Sequence, residues 1–199
     1  MRNLNYLALD LEYNTDGKNG TEDIIQVGIA IGSPIDGVFY KQSFYPKYEN
    51  KDIKLYPFIT DLTGITQDEY ENNFVSWEEI VHQIRIMHEV YTPFVNPVTW
   101  GIGDSYDLIR TVKEQGIDFP FFGRRIIDVK HLFIFIEAAN GRAMSGGLRN
   151  SMGKYKLKFQ GSPHNAMDDA ANTLEFYFCL LKRQKLLEDT IKELKNLKY

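Results

Sequence analysis

One cysteine, Cys179, stands in a chain of 199 residues, so no internal disulfide can form. The opening residues Met1 to Asn5 lack the apolar stretch that a signal peptide requires. Together with the lone thiol this gives the expectation of a reducing, cytoplasmic setting. Long apolar runs are missing too. Leu132 to Ile136 is closed at once by Glu137, far short of the roughly 18 residues that span a bilayer, so no membrane partner is expected. Internal repeats and low-complexity segments are also lacking, which argues against a solenoid or a disordered tail. Acidic residues are absent altogether from Ala138 to Met167, although the protein as a whole is acidic.

What is present is a core. Apolar residues make up 43% and aromatic residues 14% of the chain, enough for one sizeable domain. We read residues 1–181 as that domain and 182–199 as a charged helical extension of it. The net charge of -4 argues at first against a polyanionic partner. Its distribution changes that reading. Setting aside Asp10, Glu12, Asp104 and Asp169, the 27 acidic residues less those four leave 23, equal to the 23 basic ones. The acid-free stretch holds Arg142, Arg149, Lys154, Lys156 and Lys158, a local basic zone just ahead of His164. Lys154, Lys156 and Lys158 are expected to contact substrate; the alternative is a solvated surface segment.

Tyr6 to Leu11 is an apolar run of strand length interrupted by Asp10. A turn-like segment from Asn14 to Gly20 follows, and then a buried strand from Ile24 to Ile31. Val38 to Tyr45 gives a third strand, antiparallel through Gly32-Ser33-Pro34. Short helical pieces fall around Leu55 to Leu62. A longer helix starts at Ser76, where Ser76 and Glu79 form a capping box and Trp77, Ile80, Val81, Ile84 and Met87 share a face. Phe94 to Trp100 and Arg125 to Asp128 complete five strands, with helices over Asp104–Gln115, Asp128–Ala139, Gly147–Met152 and from Asn165 to about Leu197. The order predicts an α/β fold with a mixed five-stranded sheet, its first three strands antiparallel and the later ones joined by parallel crossovers.

Three elements carry chemistry. In Asp10-Leu11-Glu12 the i and i+2 side chains of a strand project from one face, and two adjacent carboxylates without a counter-charge resist burial unless a cation joins them. Hard oxygen donors suit Mg²⁺ or Mn²⁺. Asp104 follows Trp100-Gly101-Ile102-Gly103 at a strand-to-helix junction, as a ligand or as a helix N-cap, with Asp107 one turn on as a competitor. In His164-Asn165-Ala166-Met167-Asp168-Asp169 a helix would carry Asp169 in its second turn and leave His164 at its mouth, where an imidazole can take a proton near neutral pH.

In these residues the chain resembles the DEDDh exonucleases, the DnaQ-like group of the ribonuclease H-like fold. Asp10 and Glu12 fit the first motif, Glu22-Asp23-Ile24-Ile25-Gln26-Val27-Gly28 the strand after it, Asp104 the second motif, and His164 with Asp169 the third, His-x-x-x-x-Asp. Leu62-Thr63-Gly64-Ile65-Thr66 and the segment from Trp100 to Asp104 look most like the sporulation-inhibitor-type and the histone-mRNA or small-RNA trimming members. The spacing from His164 selects Asp169 over its neighbour Asp168. Many members carry a threonine soon after the first glutamate, where this chain has Tyr13-Asn14, so that hydroxyl contact is not carried over.

The resemblance implies 3′ to 5′ hydrolysis of single-stranded ends with two Mg²⁺ or Mn²⁺ ions about 3.5–4 Å apart. Asp10 would bridge both ions, Glu12 and Asp169 would complete one, Asp104 would hold the other, and His164 would be the general base. Nucleoside 5′-monophosphates would be released, RNA being slightly favoured over DNA. Leu11 would pack on the terminal base, unless it is an ordinary core leucine, and Leu62, Thr63, Gly64 and Ile65 would close the other side. Two other readings stand beside this one: a DNA proofreading or repair exonuclease beside a polymerase, with residues 182–199 as a protein-binding segment, and a catalytically silent nucleic-acid-binding module.

Overall fold

A computed structural model describes residues 4–18 and 23–196. Residues 1–3, the last residues of the first turn, Glu22 of the strand segment after the first motif, and residues 197–199 fall outside that range. Three strands open the fold: β1 (Tyr6–Asn14), β2 (Asp23–Ser33) and β3 (Gly37–Lys47). They pair as an antiparallel meander. Helices α1 (Pro57–Thr63) and α2 (Gln67–Asn72) lead to β4 (Phe74–Ser76) and α3 (Trp77–Tyr91). Then come β5 (Val98–Thr99), α4 (Gly103–Glu114), β6 (Ile127–Asp128), α5 (Val129–Ala139), α6 (Leu148–Lys154) and α7 (Ala166–Asn196).

The sheet order is β4-β3-β2-β1-β5-β6, with β3/β4, β1/β5 and β5/β6 parallel. The described sheet therefore has six strands, not the expected five. The extra one, β4, is three residues long, too short to show a period of two, and it runs directly into the Ser76 cap of α3. Its backbone partners on β3 define it. The strand expected over Phe94 to Trp100 shrinks to Val98 and Thr99. No helix among the described residues is long and apolar enough to cross a membrane.

The alternation of β1 sorts its residues between two layers. Leu7, Leu9 and Leu11 point into a core shared with Ile25, Val27 and Ile29 of β2, with Ile80 and Ile84 of α3, and with Leu108 and Val112 of α4. Here Ser76 caps α3 as expected, accepting from the Glu79 N–H at 3.2 Å. Phe119, Phe121 and Phe122 pack edge-on against each other at the border of this layer, so they serve the core. Ala8 faces the opposite side with Ala30 and Val98, under α5, α6 and α7. Asp10 and Glu12 continue that even-numbered series, and so both carboxylates emerge on the α7 side.

Small residues on this face set the distance between helix and sheet. Gly28 is the cross-strand partner of Asp10, and a Cβ there would lie 2.0 Å from the carbonyl carbon of Ala166, the first residue of α7. Gln26, two pairs further along and opposite Glu12, accepts from the Ala166 N–H at 2.8 Å. The start of α7 is thus clamped against β2 beside Asp10. Gly28→Ala cannot be absorbed by a side-chain rotation, because the obstacle is backbone. The expected result is destabilisation by about 2–4 kcal/mol in urea unfolding, with cleavage lost as Asp169 moves away from Asp10; unaltered stability and activity would contradict this packing.

Candidate active site

The carboxylates meet at one end of the sheet. Asp10 and Glu12 come from the C-terminal half of β1, Asp104 from the first turn of α4, and Asp169 from the first turn of α7. Asp10, Glu12 and Asp169 line a cleft of about 500 Å³, whose walls include Leu11, Trp100, Arg149, Phe159 and His164, whereas Asp104 is not part of its lining. Ligand atoms of Glu12, His164 and Asp169 all lie within 4.8 Å of one another. His164 takes a left-handed backbone conformation, φ 61°, immediately ahead of α7. This is costly for a non-glycine residue, and it leaves the imidazole exposed at the cleft while the backbone N–H of His164 donates to Asp169 Oδ2 at 3.0 Å.

Hydrogen bonding and ion pairing distinguish the neighbouring acids. Asp104 is not the N-cap of α4: that position is Ile102, and no side chain caps the helix. Asp107, the competitor, is already engaged, accepting from the Tyr13 hydroxyl at 2.9 Å and pairing with Arg110 at 2.8 Å. Asp168 is engaged as well, with Lys41 at 2.6 Å and the Ser162 N–H at 3.0 Å. Among the described residues no lysine, arginine or histidine forms a side-chain ion pair with Asp10, Glu12, Asp104 or Asp169. Tyr13 and Asn14, which stand where many relatives have threonine, hold the frame instead: Asn14 bridges the Lys54 carbonyl at 3.0 Å and the Tyr56 N–H at 2.9 Å.

Concentrating four carboxyls without cations has an electrostatic consequence. Burial, then the charges of Asp104, Asp169 and Glu12, hold the Asp10 carboxyl well above the usual range. Burial followed by the charges of Asp169 and Asp104 pushes Glu12 to about 8. Asp104 rises to about 7 through burial and the neighbouring Asp107 and Asp128, and Asp169 rises to about 6, mainly through burial. Each is a carboxylate that needs positive charge to ionise comfortably. A set of hard oxygen donors with no protein cation is what a Mg²⁺- or Mn²⁺-type ion requires, and the residues present fit such a group.

Of the expected substrate-contact residues, Leu11 reaches the cleft wall, yet it is only 5% exposed and packs mainly into the α3/α4 core. Leu62, Thr63, Gly64 and Ile65 lie outside the cleft lining: Leu62 and Thr63 end α1, Gly64 is its left-handed C-cap, and Ile65 is buried. Lys154, Lys156 and Lys158 are exposed but do not line the cleft either. Arg149 of the same basic stretch does, at the N-terminal end of α6, together with Asn150. Trp100, which opens the segment leading to Asp104, also forms a wall, as does Phe159, which no motif singled out. The one signal for Arg149 was the acid-free stretch that contains it.

This sheet, with a carboxylate cluster at its end and an exposed histidine beside it, is the framework of an exonuclease domain, and its fold is similar to that of a DEDDh family member. The chain belongs to the exonuclease family RNase_T, whose family model matches residues 7–177. It is 24% identical over 178 residues to Small RNA degrading nuclease 3 of Arabidopsis thaliana. That match covers 89% of this chain and only 20% of the plant protein, so the chain spans about a fifth of that relative's length. Its fold is similar to the nuclease domain of 3′hExo, described as a DEDDh family member bound to rAMP, with a TM-score of 0.75 at 16% identity over 92% of this chain and 94% of the other. Cell-death related nuclease 4 matches with a TM-score of 0.77 at 20% identity over 90% and 64%. Exonuclease I of E. coli, in complex with a dT13 oligonucleotide, matches with a TM-score of 0.70 at 16% identity over 94% and 43%.

Proposed function

We propose that this protein removes nucleotides one at a time from single-stranded 3′ ends, preferring RNA, with Asp10, Glu12, Asp104 and Asp169 as the metal-binding carboxylates and His164 as the general base. The observation that carries the reading is the unpaired carboxylate cluster beside His164, set apart from Asp107 and Asp168, whose charges are already matched. Two bound Mg²⁺ or Mn²⁺ ions would neutralise the carboxylates, activate water and stabilise the leaving oxygen. The chain's own residues supply the rest. His164, whose side chain is exposed at the cleft and whose backbone N–H is held by Asp169, accepts the proton of the attacking water on its imidazole. Arg149 at the mouth meets the negative phosphodiester, while Leu11, Trp100 and Phe159 offer apolar walls to the terminal base.

The preference for RNA rests on the name of the plant relative, on 3′hExo bound to rAMP, and on a similar 3′-exonuclease described as recognising a histone mRNA stem-loop. The test is incubation with Mg²⁺ or Mn²⁺ of RNA and DNA single strands labelled at either end. A 3′ label is expected to appear at once as a mononucleotide, while a 5′ label shortens stepwise and does so faster on RNA. Release of a 5′-terminal mononucleotide first would reverse the polarity. Tight binding by the parent without any cleavage would favour the silent module.

A further inference from the structure

A second cavity, of about 420 Å³, opens at the other end of α6. Gly147 to Asn150 of this segment line the cleft, whereas Lys154, its last residue, lines the second cavity with Glu137, Arg142, Tyr155 and Arg183. Three cations from three separate segments face it against one carboxylate. Glu137, 1% exposed, is fully used: Arg142 Nε donates to its two oxygens at 3.1 and 3.2 Å, and the Tyr155 hydroxyl donates to it at 3.1 Å. The other two cations are held without acidic partners among the described residues. Lys154 Nζ donates to the carbonyls of Ala143 and Ser145 at 2.7 and 3.3 Å, and the Arg183 guanidinium lies 4.5 Å above the Tyr155 ring.

The cavity therefore carries two uncompensated positive charges on side chains whose positions are fixed by carbonyls and a ring. An ordinary solvated face would leave such chains free in water. From Arg149 and Asn150 to Lys154 the rise along α6 is about 6–7.5 Å at roughly 1.5 Å per residue, or about two stacked nucleotide steps of roughly 3.4 Å. We propose that this cavity is a phosphate-binding subsite for the substrate strand, upstream of the nucleotide held in the cleft. The proposal rests on the exonuclease reading. It also gives the acid-free stretch a use that the cleft alone does not: Arg142 and Lys154 leave the cleft to others and join Arg183 of α7.

The test is equilibrium binding of 5′-labelled single strands of two and eight nucleotides to the full chain in EDTA, where nothing is cut. Parent, Arg183→Gln and Arg183→Lys are compared at matched melting midpoints. The parent is expected to bind the longer strand more tightly. Arg183→Gln should weaken that binding by roughly 5- to 10-fold and lower its salt slope by about 1, and Arg183→Lys should recover most of the loss. Equal affinity and equal slope for the longer strand in parent and Arg183→Gln would overturn the subsite. Cleavage of the same strands in Mg²⁺ would then still uphold the exonuclease reading. If inorganic phosphate binds the parent and not Arg183→Gln while the longer strand binds both alike, the cavity is a site for free anions and the strand assignment is overturned. A parent that neither binds nor cuts any strand overturns both readings.

Discussion

Asp10→Asn is expected to lower the rate of mononucleotide release by roughly 10³-fold or more while making the metal-free protein more stable at pH 8. The first effect follows from the position of Asp10, the one carboxylate pushed upwards by the charges of all three others. No neighbouring carboxylate can replace it, since Asp107 and Asp168 are tied to Arg110 and Lys41. The second effect follows from the same crowding. A carboxyl whose folded-state pKa is raised binds its proton more tightly when folded. Its stabilising contribution is complete below the unfolded value and disappears as pH rises through the folded one. For Glu12 that window runs from the ordinary 4.5 to about 8.

The metal-free parent should therefore lose stability steadily between about pH 4.5 and 8, and Asp10→Asn, which removes one of the repelling charges, should lose less. Thermal unfolding in EDTA at pH 5 and pH 8 measures this. The melting midpoint of the variant should exceed that of the parent at pH 8, by about 2–4 °C for each kcal/mol relieved, and the gap should narrow at pH 5. Added Mg²⁺ should raise the parent more than the variant. A variant that melts below the parent at pH 8 in EDTA would mean that the cluster is held by something other than its need for a cation.

His164→Ala is expected to reduce turnover by about 10²- to 10⁴-fold. The geometry allows two roles for this side chain, because its ring nitrogen lies within 4.8 Å of ligand atoms of both Glu12 and Asp169. A general base and a metal ligand give different signatures. As a base, its loss should leave Mn²⁺ affinity within about a factor of 2–3 of the parent, abolish the rising limb of the pH–rate profile, and be partly rescued by added imidazole. As a ligand, its loss should weaken Mn²⁺ binding by roughly 10- to 100-fold, with no rescue. Titration with Mn²⁺ beside steady-state rates separates the two, and unchanged turnover would remove His164 from the chemistry.

Four residues of the carboxylate–histidine cluster were legible in the sequence because each belongs to a local pattern. Asp10 and Glu12 share a strand face by the period of two, and His164 and Asp169 bracket a helix start. The folding of the layers could not be read in the same way. Gly28 looks like any glycine in a strand until α7 is seen lying against it. Asp107 differs from Asp104 in being paired with Arg110 and held by Tyr13, which is 94 residues away in the chain.

By itself, then, the sequence determined which carboxylates could share a face, where the chain turns from strand to helix, and that positive charge gathers before His164, since all three are properties of neighbouring residues. The tertiary structure decided which acidic side chains remain unpaired and which walls enclose the cleft. It also decided where the cations of the basic stretch go, Arg149 to the cleft and Arg142 and Lys154 to the cavity completed by Arg183. Those outcomes depend on contacts between segments far apart in the chain, and burial and charge pairing at such contacts are set only when the layers close.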